Sequence, residues 1–151
     1  MNILNPDFKD FISCLNDFQV EYMLVGGYAV IIRGYSRSTG DLDIWVNKTN
    51  RNFIALQKAL VKFGLPREAI LKEKFFSDAF DVFSFGRPPF AIEILTALKG
   101  ISSFDEAFNL ATIEVIDDTA VKVIHLRHLI RAKQAGGRFK DKNDLENLPD
   151  M

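Results

Sequence analysis

The spacing of apolar positions divides the chain into short segments of changing period. Phe8, Phe11, Ile12, Leu15 and Phe18 recur at helical spacing behind Asn5-Pro6, a capping residue followed by a proline at the first helical position. An apolar run, Tyr22–Val25, then reads as a strand, and residues 28–33 as a short helix stopped at Gly34. From residue 41 the period changes to two. Leu42, Ile44 and Val46 alternate with Asp41, Asp43 and Trp45, the pattern of a half-buried strand. Residues 50–63 return to helical spacing, with Phe53, Leu56, Leu60 and Phe63 on one face and Gly64 and Pro66 ending the helix.

Residues 67–79 carry no clear period and predict a short helix or an irregular connection. Runs over 80–85 and 90–95 read as two strands of a hairpin, joined through Gly86-Arg87-Pro88-Pro89 by a loop longer than a two-residue turn. Ser102 or Ser103 caps a helix over 104–110, with Asp105 and Glu106 in its first turn, where the helix dipole favours acids. Residues 112–116 and 121–124 form another strand pair around Asp117-Asp118, whose acidity solvation explains. Leu126, Leu129 and Ile130 mark a helix over 125–134, Gly136-Gly137 breaks it, and residues 140–148 make a last, polar helix. The elements predict an α/β (α+β) architecture, a mixed, twisted sheet flanked by helices.

Composition narrows this further. With 151 residues and 48% hydrophobic content, the chain has enough material for one core and little for a second, so a single domain over 1–151 is expected. A net charge of -1 provides no global basic field, and a polynucleotide is not the default partner. The single Cys14 excludes an internal disulfide and reads as a packed thiol. Without a basic, apolar leader or a bilayer-length apolar run, a cytoplasmic location away from membranes is expected. His125 and His128 lack a third ligand for a zinc site and read as helix-surface or boundary residues.

The candidate chemistry concentrates in residues 25–46. Asp41 and Asp43 share the strand face opposite the three aliphatics, with Cα atoms roughly 6.6 Å apart. Two like charges so placed repel unless a cation lies between them, and Mg²⁺, which takes one or two carboxylates plus phosphate oxygens, suits the pair. Gly26-Gly27, between strand and helix, lets backbone approach a ligand and point N–H groups at an anion. Glu93 alternates with Ile92 and Ile94, so its acid also faces away from its aliphatic neighbours. Arg33, Arg37, Lys133, Arg138 and Lys140 are each either phosphate clamps or solvated surface. Trp45, on the side of the aspartates, either flanks a base or packs in the core, and packing is the simpler reading.

Gly26-Gly27, the Asp41-Leu42-Asp43 strand about a dozen residues on, and the isolated acid in Ala91-Ile92-Glu93-Ile94 together resemble the nucleotidyltransferase superfamily typified by DNA polymerase beta. Gly-Gly-Tyr-Ala-Val with Arg37, Thr39 and the two aspartates, then Leu129-Ile130-Arg131-Ala132-Lys133 and Gly137-Arg138-Phe139-Lys140-Asp141, resemble its small bacterial, toxin-type members. The resemblance implies that Asp41, Asp43 and Glu93 form the catalytic set and hold Mg²⁺. It places a nucleoside triphosphate against Gly26, Gly27, Arg37, Thr39, Lys133 and Lys140. Three carboxylates can hold two Mg²⁺ about 3.5 to 4 Å apart and stabilise an in-line displacement at phosphorus. The implied activity is Mg²⁺-dependent transfer of a nucleoside monophosphate from NTP to an acceptor, whether small molecule, protein or tRNA, with pyrophosphate leaving. The alternative is a catalytically silent module of the same fold that binds nucleotide or a protein, such as the partner of a toxin–antitoxin pair.

Overall fold

A computed structural model describes residues 3–87 and 90–149, so the Pro88-Pro89 part of the expected hairpin loop lies outside the described residues. The elements run α1 (Pro6–Asp17), β1 (Tyr22–Val25), α2 (Gly26–Ile32), β2 (Leu42–Val46), α3 (Asn50–Phe63), α4 (Lys72–Phe75) and β3 (Val82–Phe85). They continue with β4 (Ile92–Leu95), α5 (Phe104–Leu110), β5 (Thr112–Ile116), β6 (Thr119–Val123), α6 (Leu126–Gly136) and α7 (Phe139–Asn147). The six strands form one mixed sheet in the order β3-β4-β2-β1-β6-β5. β1 runs antiparallel to β2 and parallel to β6, β2 runs parallel to β4, and the two antiparallel hairpins supply the sheet edges.

Local chemistry sets most element boundaries. The Asn5 side chain accepts a hydrogen bond from the Phe8 N–H at 2.8 Å, with Pro6 opening α1 behind it. Phe8, Phe11, Ile12 and Leu15 are buried, and the Phe11 ring meets Phe63 of α3 edge-on at 5.1 Å. Buried Asn52 of α3 accepts from the Glu21 N–H at 2.7 Å and donates to the Glu21 and Asn47 carbonyls, fastening the outer ends of β1 and β2. The short helix or irregular connection expected over residues 67–79 contains the single turn of α4.

Several sequence expectations change in the folded chain. α2 starts at Gly26, two residues earlier than the apolar pattern predicts, and β6 starts at Thr119 rather than residue 121. β2 is not half-buried: Leu42, Ile44, Trp45 and Val46 are all buried, and only Asp43 is partly open. Trp45 meets Phe104 of α5 edge-on at 5.0 Å, so α5 covers the face that alternation alone assigns to solvent. Asp117 is more than a solvated turn residue. Its carboxylate accepts from the Ile3 and Leu4 N–H groups at 2.8 and 2.9 Å and anchors the start of the chain to the β5–β6 turn.

The polar helix α7 is held by buried charge. Asp144 is fully buried; its carboxylate accepts from Arg37 Nε at 2.7 Å and Nη2 at 2.9 Å and lies 3.0 Å from Lys133 Nζ. Asp141, also buried, lies 3.2 Å from Lys133 Nζ and 2.9 Å from Arg138 Nε. Burial pushes both carboxyls up, but hydrogen bonds from Arg37 and Lys133 on Asp144, and from Arg138 and Lys133 on Asp141, outweigh it and hold both below the usual range. This chain of alternating charges docks α6 and α7 onto the loop before β2.

Because both carboxyls titrate lower in the folded chain than in the unfolded one, their stabilisation is present above the ordinary value of 3.8 and is lost as pH falls through the folded values. Asp144→Asn leaves Arg37 beside a neutral group and Lys133 with Asp141 alone, and should destabilise the protein by about 3–5 kcal/mol at pH 7. Urea unfolding measures this, and an unchanged midpoint would remove the network from the account.

Candidate active site

The parallel pairing of β2 with β4 sets Asp43 beside Glu93 in register. Neighbouring strands lie about 4.8 Å apart, so two acids at paired positions on one face are forced together. On its other side Asp43 is the register partner of Val25, the last residue before the glycine pair. Asp41 stands just ahead of β2, where Leu42 N–H donates to the Ala91 carbonyl at 2.9 Å and Asp41 Oδ1 accepts from Ala91 N–H at 3.3 Å. The third acid is thus tied across to the residue leading into β4.

The two glycines are needed for what lies against them. Gly26 has φ of +69°, and a Cβ there would run into the Asp43 carboxylate. A Cβ on Gly27 would strike the Thr39 hydroxyl and come within 2.9 Å of Thr39 Cβ and 3.3 Å of Arg37 Nη2. They form the first turn of α2, which no side chain caps because its N-cap is Val25. Asp43, Thr39 and Arg37 are thereby brought close to the start of that helix.

A cleft of about 500 Å³ opens here. Asp41, Asp43 and Glu93 line it together with Gly26 and Gly27, and Arg37 and Thr39 enter from the loop before β2. Lys133, Arg138 and Lys140 line it from the C-terminal helices. The nine residues that the resemblance assigns to catalysis and nucleotide binding therefore border one space with Arg138, although they span positions 26 to 140.

Its electrostatics are unbalanced. Burial, the charges of Glu93 and Asp41, and a hydrogen bond shared with Glu93 push the Asp43 carboxyl up to about 7, against a weaker pull downward from Lys140. Asp43 Oδ1 is buried and has no hydrogen-bond partner among the described residues. Among those residues no three His, Cys, Asp or Glu side chains are gathered closely enough to enclose a metal ion. The donor chemistry nevertheless fits a hard dication: three carboxylates border one cleft, and one of them, Asp43, has a buried oxygen with no partner among the described residues.

Other candidates fall outside the cleft. Arg33 donates from Nε to the Ile124 carbonyl at 2.9 Å and from Nη2 to the Val123 carbonyl at 3.1 Å, and it pairs with Glu114 at 3.6 Å, so it braces the sheet. Trp45 is core. His125 is the N-cap of α6, its Nδ1 accepting from Arg127 N–H at 3.0 Å. His128 is buried against α5 rather than on the helix surface, with Nε2 4.0 Å from Glu106. Cys14 is a buried thiol whose pKa burial raises. Lys133 borders the cleft, yet its ammonium is engaged by two carboxylates. Asp141 and Asp144 are the site-shaping residues that sequence reading missed; their three-residue spacing, next to Arg138 and following Lys133, was the available signal.

No known family profile matches the chain, and no curated protein does. Solved structures do. A protein of Thermotoga maritima, provisionally assigned as a nucleotidyltransferase, superposes with a TM-score of 0.64 at 13% identity, covering 96% of this chain and 94% of its own. An antigenic nucleotidyltransferase-like protein of Paracoccidioides brasiliensis superposes with a TM-score of 0.57 at 17% identity, covering 92% of this chain and 70% of its own. Identities this low carry architecture alone, and on that architecture the chain has the nucleotidyltransferase fold.

Proposed function

We propose that the cleft binds Mg²⁺ with a nucleoside triphosphate and transfers the nucleoside monophosphate to an acceptor hydroxyl, releasing pyrophosphate. The observation that carries this reading is the placement of Asp43 beside Glu93 in register on parallel strands, with an unpartnered buried oxygen, in a cleft that Asp41 and the cations Arg37, Arg138 and Lys140 also line. Asp41, Asp43 and Glu93 would hold the metal. When bound, such ions neutralise charge on the phosphates and lower the pKa of the attacking hydroxyl.

The chain's own groups divide the remaining work. Lys140 is exposed, has no ion pair among the described residues, and is the cation best able to turn to phosphate oxygens. Arg37 and Arg138 are oriented by Asp144 and Asp141 and present their remaining N–H donors along the same wall. The acceptor oxygen bonds to the α-phosphorus as the bond to pyrophosphate breaks. The hydroxyl proton passes to the carboxylate of Glu93, the acid that can be spared from charge balance when Asp43 is ionised.

Three outcomes follow. In a thermal-shift experiment, Mg²⁺ with an NTP should raise the melting temperature more than the two separate shifts combined, and EDTA should abolish the effect. No metal-dependent shift with any of the four NTPs would remove the reading.

The apo protein should show the opposite pH trend from an ordinary carboxylate. In the folded chain Asp43 keeps its proton up to about 7, whereas the ordinary value is 3.8, so its contribution to stability falls as pH rises across that window. Asp43→Asn should flatten the slope and stabilise the apo protein at pH 8 by on the order of 1 kcal/mol, less than full linkage because the side chain is partly solvated. Chemical denaturation of both proteins at pH 5 and pH 8 checks this, and a less stable variant at pH 8 would contradict it.

Asp41→Asn, Asp43→Asn and Glu93→Gln should each lower pyrophosphate release by about 100-fold or more while the protein stays folded. Full activity in either aspartate variant would sink the catalytic assignment. A wild type that binds Mg²⁺ and NTP without releasing pyrophosphate in any cell extract would favour the silent binding module.

A further inference from the structure

A second chamber, of about 360 Å³, adjoins the cleft and shares Gly26, Asp43, Lys133 and Arg138 with it. Its other walls differ in kind. Val25 of β1, Val82 of β3, Leu95 of β4, and Leu129 and Ala132 of α6 make it aliphatic, with Leu98 beyond β4 adding to the same lining. Sheet register explains the change. Val25 pairs with Asp43, Asp43 with Glu93, and Leu95 with Val82, while Glu93 and Leu95, two residues apart, share a face. One sheet face is therefore acidic toward the cleft and aliphatic beneath α6. Asp81, Lys99 and Asp141 add charge to the chamber beyond the residues it shares with the cleft, and Asp141 is engaged by Lys133 and Arg138.

We infer that this chamber receives the nucleoside, ribose and base, of the nucleotide whose phosphates occupy the cleft; the inference rests on the nucleotide-transfer reading above. A nucleoside is joined to its α-phosphate by a single bridging oxygen, so it must occupy space next to the phosphate site. The chamber shares four wall residues with that site. A base has two apolar faces and a polar edge, which matches aliphatic walls with charged groups among them, of which Asp81 and Lys99 lie outside both the cleft and the Asp141 ion pairs. A carboxylate accepts hydrogen bonds, so Asp81 favours a base with an amino edge: adenine, guanine or cytosine. Uracil presents its one N–H between two carbonyls, both repelled by that carboxylate.

Titration calorimetry on the full chain in Mg²⁺, with ATP, GTP, CTP, UTP and inorganic tripolyphosphate, tests this. An amino-base NTP should bind about tenfold or more tighter than tripolyphosphate, the scale of a hydrogen bond to a charged group together with burial of the base. Ala97→Leu and Ala132→Leu fill the chamber from two different walls without adding an aromatic ring. Each should bring that ratio near one and leave tripolyphosphate affinity unchanged. Ala97 is exposed, so its variant keeps the test valid if the α6 variant folds poorly. Asp81→Asn should narrow the gap between the amino-base NTPs and UTP, while Lys140→Ala should weaken NTP and tripolyphosphate alike. If NTP affinity survives both chamber-filling variants, the inference is overturned and the chamber passes to the acceptor, with the nucleotide reading intact. If neither NTP nor tripolyphosphate binds, both fall together.

Discussion

The rest of the site depends on one strained neighbourhood: Asp43 and Glu93 side by side on parallel strands, with Asp41 at the strand entrance. Backbone pairing fixes the spacing, so the carboxyls cannot move apart without breaking the sheet. Their repulsion, added to burial, appears as proton affinity, with Asp43 held up to about 7. Gly26 belongs to the same arrangement, because any side chain there would occupy the volume of the Asp43 carboxylate. A group kept half-protonated near neutral pH, with an oxygen that nothing donates to, costs stability; such costs concentrate where a ligand later compensates them.

Along the opposite wall the logic is inverted. Asp141 and Asp144 are at least as buried as Asp43, yet Arg37, Lys133 and Arg138 more than offset the burial, and both carboxyls titrate low. The protein thus places over-compensated acids in its frame and under-compensated acids at its cleft. The division also sorts the cations. Lys133 is spent on structure, Arg37 and Arg138 are held in place by the acids they neutralise, and Lys140 remains exposed.

Much of this was legible in the residues. The start of α1, the whole of β1 and the end of α3 lie where the sequence predicts them, because Asn5, Pro6 and Gly64 act on the chain within a few residues. The three acids and two glycines could be found because their chemistry is written into local spacing. What stayed hidden depends on tertiary partners. The burial of both faces of β2 follows from Phe104 reaching Trp45, and the start of α2 at Gly26 contradicts glycine's poor helix propensity because Asp43 needs the room. A helix polar in sequence buries two aspartates because Arg37 meets Asp144 from 107 residues away, a distance at which no periodicity is informative. Charge alone leaves Arg33 open between phosphate clamp and solvated surface, and the carbonyls at the end of β6 reveal its role as a brace.

The account rests most directly on the proton held between Asp43 and Glu93. Carbon-detected NMR titration of the side-chain carboxyls, with and without Mg²⁺ and a non-hydrolysable NTP analogue, reads it at the atom concerned. Asp43 should titrate near 7 in the free protein, and its carboxyl should stay ionised well below that pH once metal and nucleotide are bound. An Asp43 that titrates near the ordinary 3.8 in the free protein, or one indifferent to metal and nucleotide, would contradict the account.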